Sequence, residues 1–233
     1  MSPEVVWLRA TSSGVGRPPR HTRETVTLAA VHAADRDGLA ALTMRSVAAE
    51  LGTGGGSLYR HVTSREELID LMVDHAAGEY VLHEPTGHWL DDLVALAVQG
   101  LEIHRRHLWL TEVVTAPVVG PHGLRVSEHV MAVLAEHPAH DGQKLVAYAV
   151  LNSLISSFAR AMDSAPDPER AQAQAAYLAE VIPRGDHPHL ARLDPGSTRQ
   201  PDDVFPDVIR GVLRGLLPSH AGNFRHSTPH GSG

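Results

Sequence analysis

Three features of this 233-residue chain predict an all-α fold in two parts. Apolar residues recur at i, i+3, i+4 and i+7 spacing along most of the chain, the period of helices with one buried face. The string LAALTMRSVAAELGTGGGSLYRHVTSREEL, residues 39–68, has the spacing of two short helices joined by a glycine turn. Pro85 and Gly87 then interrupt the pattern and separate a small head from a larger body. The expected architecture is a three-helix helix-turn-helix domain, followed by a larger helical domain that brings the whole to about ten helices.

Each element has its own justification. Residues 1–20, rich in Gly, Ser, Pro and Arg, read as a disordered arm. Val26, Ala29, Ala30, Val31, Ala33 and Ala34 give a packed helix from Arg23 to Asp37, stopped at Gly38. Thr43 can cap the next helix, whose inner face is Val47, Ala48 and Leu51. Gly52 supplies the left-handed turn that a Cβ disfavours. A second short helix carries Ser57, Tyr59, Arg60 and His61 outward on the Leu58/Val62 pair. Ser64 to Glu67 reads as a capping box opening a helix from Arg65 toward His83, with Leu68, Leu71, Met72 and Ala76 inward.

In the body, Trp89 to about His107 is amphipathic, and an apolar segment follows from Leu108 to Val119. Gly123 to His137 and Glu169 to Val181 are further helices. Gln143 to Met162 is apolar on most sides, as a central or shared helix is. Four prolines between Pro183 and Asp203 indicate a long loop, and Val204 to Leu217 forms the last helix. The His/Ser/Gly-rich end, residues 219–233, reads as a disordered tail. The domains are therefore expected at 21–84 and 85–218.

Composition bounds the function. The net charge of −7 divides unevenly: residues 1–65 hold 8 Arg against 5 acids, and the remainder is acidic. A basic head on an acidic body confines affinity for a polyanion to one end. No uninterrupted apolar run approaches a membrane span, and no secretory leader is visible at the N-terminus. The absence of cysteine excludes thiolate chemistry and fits a cytoplasmic protein. Of 17 histidines, His104 and His107 stand at i, i+3, but no HExxH or similar metal spacing occurs, so neither metal nor cofactor is expected.

The segments Leu42-Thr43-Met44-Arg45, Ala48-Ala49-Glu50-Leu51-Gly52 and Leu58-Tyr59-Arg60-His61 closely resemble the N-terminal DNA-binding domain of the TetR family of bacterial repressors. The resemblance runs from Thr22 to Met72. It departs at Gly54-Gly55-Gly56, where the family usually caps the recognition helix with Ser or Thr, and at Val62, where Phe is more usual. It implies that Ser57 and His61 enter the major groove, that Arg45 reaches a guanine, and that Thr43, Tyr59 and Arg65 meet phosphates. Arg60 is carried on the same face, and Gly55 would offer DNA its backbone. The body is similar to the tetracycline-repressor-like subgroup on Trp89, the apolar helix 143–162, the long loop, and Asp203, Phe205, Ile209 and Gly211.

That similarity implies a homodimer built on the helices 143–162 and 204–217, with Ile209 and Leu213 at the contact. The subgroup's drug and magnesium positions fall on Val81, Leu96 and near Val114, so the magnesium site is not kept and a more apolar effector is expected. Polar groups interrupting apolar faces mark the candidate pocket: His104, Trp109, Met131, Asn152 and Ser156. The expected protein is a ligand-responsive repressor, not an enzyme, that binds a palindromic operator in double-stranded DNA and is released by a small apolar molecule. The alternatives are a TetR-like activator, a helical metal-dependent hydrolase using His104 and His107, and a ligand-binding protein without DNA affinity.

Overall fold

The computed structural model describes residues 6–8, 21–113, 120–163, 167–193 and 201–218, with only the backbone at Gly55, Ser57, Pro201 and Asp202. All regular structure among them is helical. In the head these are α1 (Arg23–Asp37), α2 (Met44–Glu50), α3 (Gly55–Leu58) and α4 (Arg65–Ala77). The body holds α5 (Trp89–Arg106), α6 (Leu110–Val113), α7 (Pro121–Val133), α8 (Asp141–Asp163), α9 (Pro168–Val181) and α10 (Pro201–Leu216).

Local chemistry sets the helix starts in the head. Thr22 caps α1 by accepting from the Thr25 amide at 3.1 Å, and Thr25 Oγ1 accepts in return from the Thr22 amide at 2.8 Å. Thr43 and Ser46 repeat the exchange on α2, at 3.0 and 2.9 Å. Each such box satisfies two amides that the helix leaves without partners. Ser64 accepts from Glu67 N at 3.1 Å as expected, but the Glu67 carboxylate turns to Thr63 instead of closing the box on Ser64. Gly52, at φ +60°, makes the turn between α2 and α3.

Alanines at 29, 30, 33 and 34 leave α1 slim enough for α2 and α4 to pack closely on it. Leu58 and Val62, both fully buried, pin α3 and the turn after it into the same core. Val6 is buried in that core too, with Trp7 half-buried against it. Part of the expected disordered arm is thus a short 3₁₀ turn; its remainder, and the tail 219–233, lie outside the described residues.

The body is centred on α5, α8 and α10, which pack on one another. Leu93, Ala97 and Leu101 of α5 meet Leu151, Ile155 and Ala159 of α8 and Phe205, Ile209 and Leu213 of α10 in one cluster. Phe158 and Phe205 stack edge to face at 4.9 Å. Ile209 and Leu213 therefore belong to the core of the single chain, against the expectation that they face a partner: α10 has two apolar sides, and the bulkier one turns inward. Helix α8 is long and apolar enough by composition to cross a membrane, contrary to the expectation from uninterrupted runs, and most of it is uncovered in the single chain. Helix α9 buries no residue. Helix α4 ends at Ala77, short of the expected His83, and a non-helical link leads to α5.

The head meets the body through buried polar contacts as well as apolar ones. Asp74 on α4, 3% exposed, accepts from the His122 and Gly123 amides at 2.9 Å each and pairs with His122 Nδ1 at 2.9 Å. It thereby caps the N-terminus of α7, where free amides favour an anion. Gly120 lies so close that a Cβ there would fall on the Asp74 carboxylate. We expect Asp74→Ala to destabilise the fold by about 2–4 kcal/mol, since it orphans two buried amides. Gly120→Ala should destabilise by about 1–3 kcal/mol through the clash. Chemical denaturation of both and of the double variant checks this; in the double, the clash disappears and the losses should fall well short of additive.

Candidate nucleic-acid interface and the joint behind it

The head presents a basic, hydrogen-bonding face. Arg45 on α2 and Arg60 after α3 are exposed. Tyr59 is 56% exposed, so its ring does not serve the core, and Leu58 and Val62 take the inward positions as expected. The helical part of the recognition segment is a single turn, Gly55–Leu58, and Tyr59, Arg60 and His61 stand in the turn that follows it. This is shorter than expected. Three consecutive glycines supply no side-chain cap, and Gly54 at the cap position makes no side-chain bond. The Ser57 side chain lies outside the described residues.

His61 is half-buried, and its pKa is lowered first by that burial, then by the nearby charges of Arg23, His21 and Arg60. The basic patch thus extends to the start of α1, which the sequence reading missed. The signal was present: Thr22 caps α1, and the residues on either side of a cap emerge at the helix end. Thr43 sits at the exposed N-terminus of α2, where backbone amides favour a phosphate. Arg65 also has a structural task beside the phosphate contact expected of it. Its Nε donates to the Leu42 carbonyl at 3.0 Å and its Nη2 to the Leu39 carbonyl at 2.8 Å, so two donors are spent bracing the loop before α2.

The candidate pocket residues divide. His104, buried on α5, donates from Nδ1 to the Gly100 carbonyl at 2.9 Å, which fixes the tautomer. Its Nε2 then accepts from the Ser156 hydroxyl of α8 at 3.2 Å. Burial lowers the pKa of this histidine, in keeping with a ring satisfied as the neutral species. Asn152, half-buried, is one turn before Ser156 on α8, and Met131 packs on the body cluster. Trp109 stands apart from this group. It is 1% exposed in the head-side cluster, and its indole donates to Asp35 Oδ1 at 2.7 Å.

His107 also serves the head. Its Nδ1 lies 2.7 Å from Asp35 Oδ1 on α1, and its Nε2 lies 2.7 Å from Glu79 Oε1 just past α4. Arg106 holds the other Glu79 oxygen. Burial raises the pKa of Glu79, but the bonds from Arg106 and His107 outweigh it and hold the carboxyl below its ordinary range. The hydrolase alternative loses its two histidines to these contacts. Among the described residues no three His, Asp or Glu side chains gather as a metal site.

Comparison with known proteins fits this geometry. Residues 27–72 match the family described as bacterial regulatory proteins, tetR family, and residues 83–219 match the tetracyclin repressor-like C-terminal domain. The HTH-type transcriptional repressor DrrR1 of Streptomyces coeruleorubidus is 32% identical over 225 residues, covering 91% of this chain and 83% of that protein. An HTH-type transcriptional regulator of Saccharopolyspora erythraea is 32% identical over 156 residues, 66% of each chain. Among solved structures, apo ActR of Streptomyces coelicolor superimposes with a TM-score of 0.75 at 28% identity, covering 87% of this chain and 99% of that one. ActR in complex with actinorhodin gives 0.75 at 27%, with the same coverage.

The depressed histidines have a consequence for stability. His61, His104 and His137 all have folded-state pKa values below the ordinary 6.5, with burial the leading cause in each. Below pH about 6.5 the unfolded chain therefore binds more protons than the folded one, and stability falls as the pH drops. Glu79, with its lowered pKa, acts in the same direction below 4.5. Thermal melts should give a lower Tm at pH 5.5 than at pH 7.5, with the slope reduced in His104→Gln. A Tm that is constant or rises toward pH 5.5 contradicts this.

Proposed function

Because this chain belongs to the TetR family of bacterial transcriptional regulators, we propose that it is a homodimeric repressor that holds a palindromic operator and releases it on binding a small, largely apolar effector. Family membership makes it a DNA-binding regulator and not an enzyme. The observation that carries the operator reading is the exposed set Arg45, Tyr59 and Arg60 on the buried Leu58/Val62 frame, beside His61. Residues 21–84 are read as the head and 85–218 as the effector and dimer domain, working in the cytoplasm.

DNA selected from a random pool by the full chain provides the test. Selected sequences should be two-fold symmetric, as two heads about 34–36 Å apart require. Arg45→Ala should cost about 1–3 kcal/mol and relax preference at one base pair in each half-site. Failure of the full chain to enrich any sequence rules the reading out, and unchanged binding by the variant removes Arg45 from the contact.

Dimerisation is supported by apolar surface that the single chain leaves in water. Leu145 and Val146 of α8 are each 55% exposed. On α10 Val208 and Val212 are half-buried and Gly211 exposed, opposite the inward Ile209 and Leu213. A two-fold pairing of α8 and α10 covers these faces on both copies. Val146→Glu with Val212→Glu should give a helical monomer by light scattering, with operator binding lost. Ile209→Glu should instead unfold the chain. A stable monomer from the unmodified protein at micromolar concentration contradicts the dimer.

On this reading the effector binds among His104, Asn152, Ser156 and Met131. The neighbour ActR has been solved with (S)-DNPA and with actinorhodin, which supports a small-molecule effector here. Operator and effector must weaken each other by the same factor, about 5–150-fold for typical coupling. Calorimetric titration of a candidate with and without selected DNA reads that factor, and equal affinities dismiss the candidate.

A further inference from the structure

We propose that His107 is a positioning residue for operator binding: by bridging Asp35 and Glu79 it fixes the angle of the DNA-binding head on the body. The inference rests on the operator reading above and adds to it the joint that makes the head rigid. Asp35 lies near the end of α1, the helix that packs on both α2 and α4, so a tether on Asp35 holds the whole head and not merely its linker. One oxygen of Asp35 accepts from the Trp109 indole and faces His107 Nδ1, both at 2.7 Å. On the far side of the ring, Nε2 faces Glu79 at 2.7 Å. Each ring nitrogen thus lies within hydrogen-bond reach of a carboxylate oxygen, one from the head helix α1 and one from the segment after α4.

The ring is better shielded than its partners, whose side chains are 27% exposed at Asp35 and 28% at Glu79. The His107 side chain is 10% exposed, and Trp109 packs beside it with ring centroids 5.9 Å apart. Every element around His107 contributes: Asp35 from α1, Glu79 from the segment after α4, Arg106 and His104 from α5, and Trp109 ahead of α6. A slipped ring would lose its contact with both carboxylates at once, leaving Asp35 to Trp109 and Glu79 to Arg106. The apolar contacts of Ile103, Leu110 and the head core tolerate sliding far better, since they are not directional. Three residues before His107, on the same helical turn, His104 bonds to Ser156 in the interior of the body. The joint is therefore within one turn of the proposed effector region.

An operator selects dimers whose two heads sit at the right spacing. If a loosened joint leaves one protomer pair in ten competent, apparent affinity falls about tenfold. The chain contains no cysteine, so Ala40→Cys in the head and Glu136→Cys in the body, both exposed, give a clean pair for spin labels. Dilution with unlabelled chain isolates the distance within one chain. The unmodified protein should give one narrow head–body distance. Asp35→Asn and His107→Gln should each broaden it, with native helicity retained, and each should weaken binding to selected DNA about tenfold. The double variant should lose little more than either single, because one joint can break only once. Trp109→Phe keeps an aromatic ring, smaller than the indole, and removes one bond to Asp35, so it should fall between; it also serves if the other variants fold poorly.

Narrow distances in all three variants overturn the joint, whether or not DNA is present. Broad distances with unchanged DNA affinity, or fully additive losses, overturn its role in binding. Failure of the unmodified chain to select DNA defeats the operator reading instead, and the distance measurement then decides the joint by itself.

Discussion

The recognition segment cannot hold its own shape. Its helical part is four residues long and begins in three glycines, whereas isolated helices need well over ten residues to persist in water. Glycine adds conformational freedom that must be lost on ordering. Everything presented to DNA therefore depends on the burial of Leu58 and Val62 in the head core, worth about 1.5–3 kcal/mol for each large apolar side chain. Around that anchor the neighbouring backbone is braced. Arg65 ties the start of α4 to the carbonyls of Leu39 and Leu42, and Glu67 closes on Thr63 directly after the recognition turn. Two donors of that guanidinium keep the loop before α2 in register.

A similar economy governs the contact between head and body. Two aspartates, one on α1 and one on α4, leave the head and are satisfied by groups of the body. Asp74 takes the free amides of α7, while Asp35 takes an indole and an imidazole. Asp74 is buried, and a buried carboxylate contributes little net stability when its desolvation is counted, but removing one partner exposes a large penalty; Asp35 is more open to water. The apolar cluster that spans the junction, with Ile103, Trp109 and Leu110 against the head helices, supplies the cohesion. The polar contacts restrict it to a single arrangement.

In the body the decisive fact is that α8 and α10 each have two apolar sides. One side of each closes the core around Phe205, Ile209 and Leu151; the other turns Leu145 and Val146 of α8, and Val208, Gly211 and Val212 of α10, outward. A face of Val208, Gly211 and Val212 allows close backbone approach, which suits a helix–helix contact between copies better than a ring of large side chains would. In the proposed two-fold assembly, protein would cover both sides of a helix that by composition is apolar enough to cross a membrane.

What the residues alone determined is what short-range chemistry determines. The Thr43 cap, the Ser64 cap, the stops at Gly38 and Gly52 and the inward Leu58/Val62 pair all involve groups within about four residues of each other, and all were legible as patterns. The all-α architecture follows from the same periodicity. Tertiary structure decided whatever joins distant segments or chooses between two faces. Asp35 lies 72 residues from His107 and 74 from Trp109, and no local pattern announces such a pairing. His104 and His107, three residues apart on one turn, face opposite neighbours: a neutral ring bonded within the body, and a bridge between two carboxylates at the head. Ile209 and Leu213, expected at a partner contact, lie in the core. Periodicity identifies an apolar face, but only the packing of α5 and α8 against α10 decides which of two such faces is covered first.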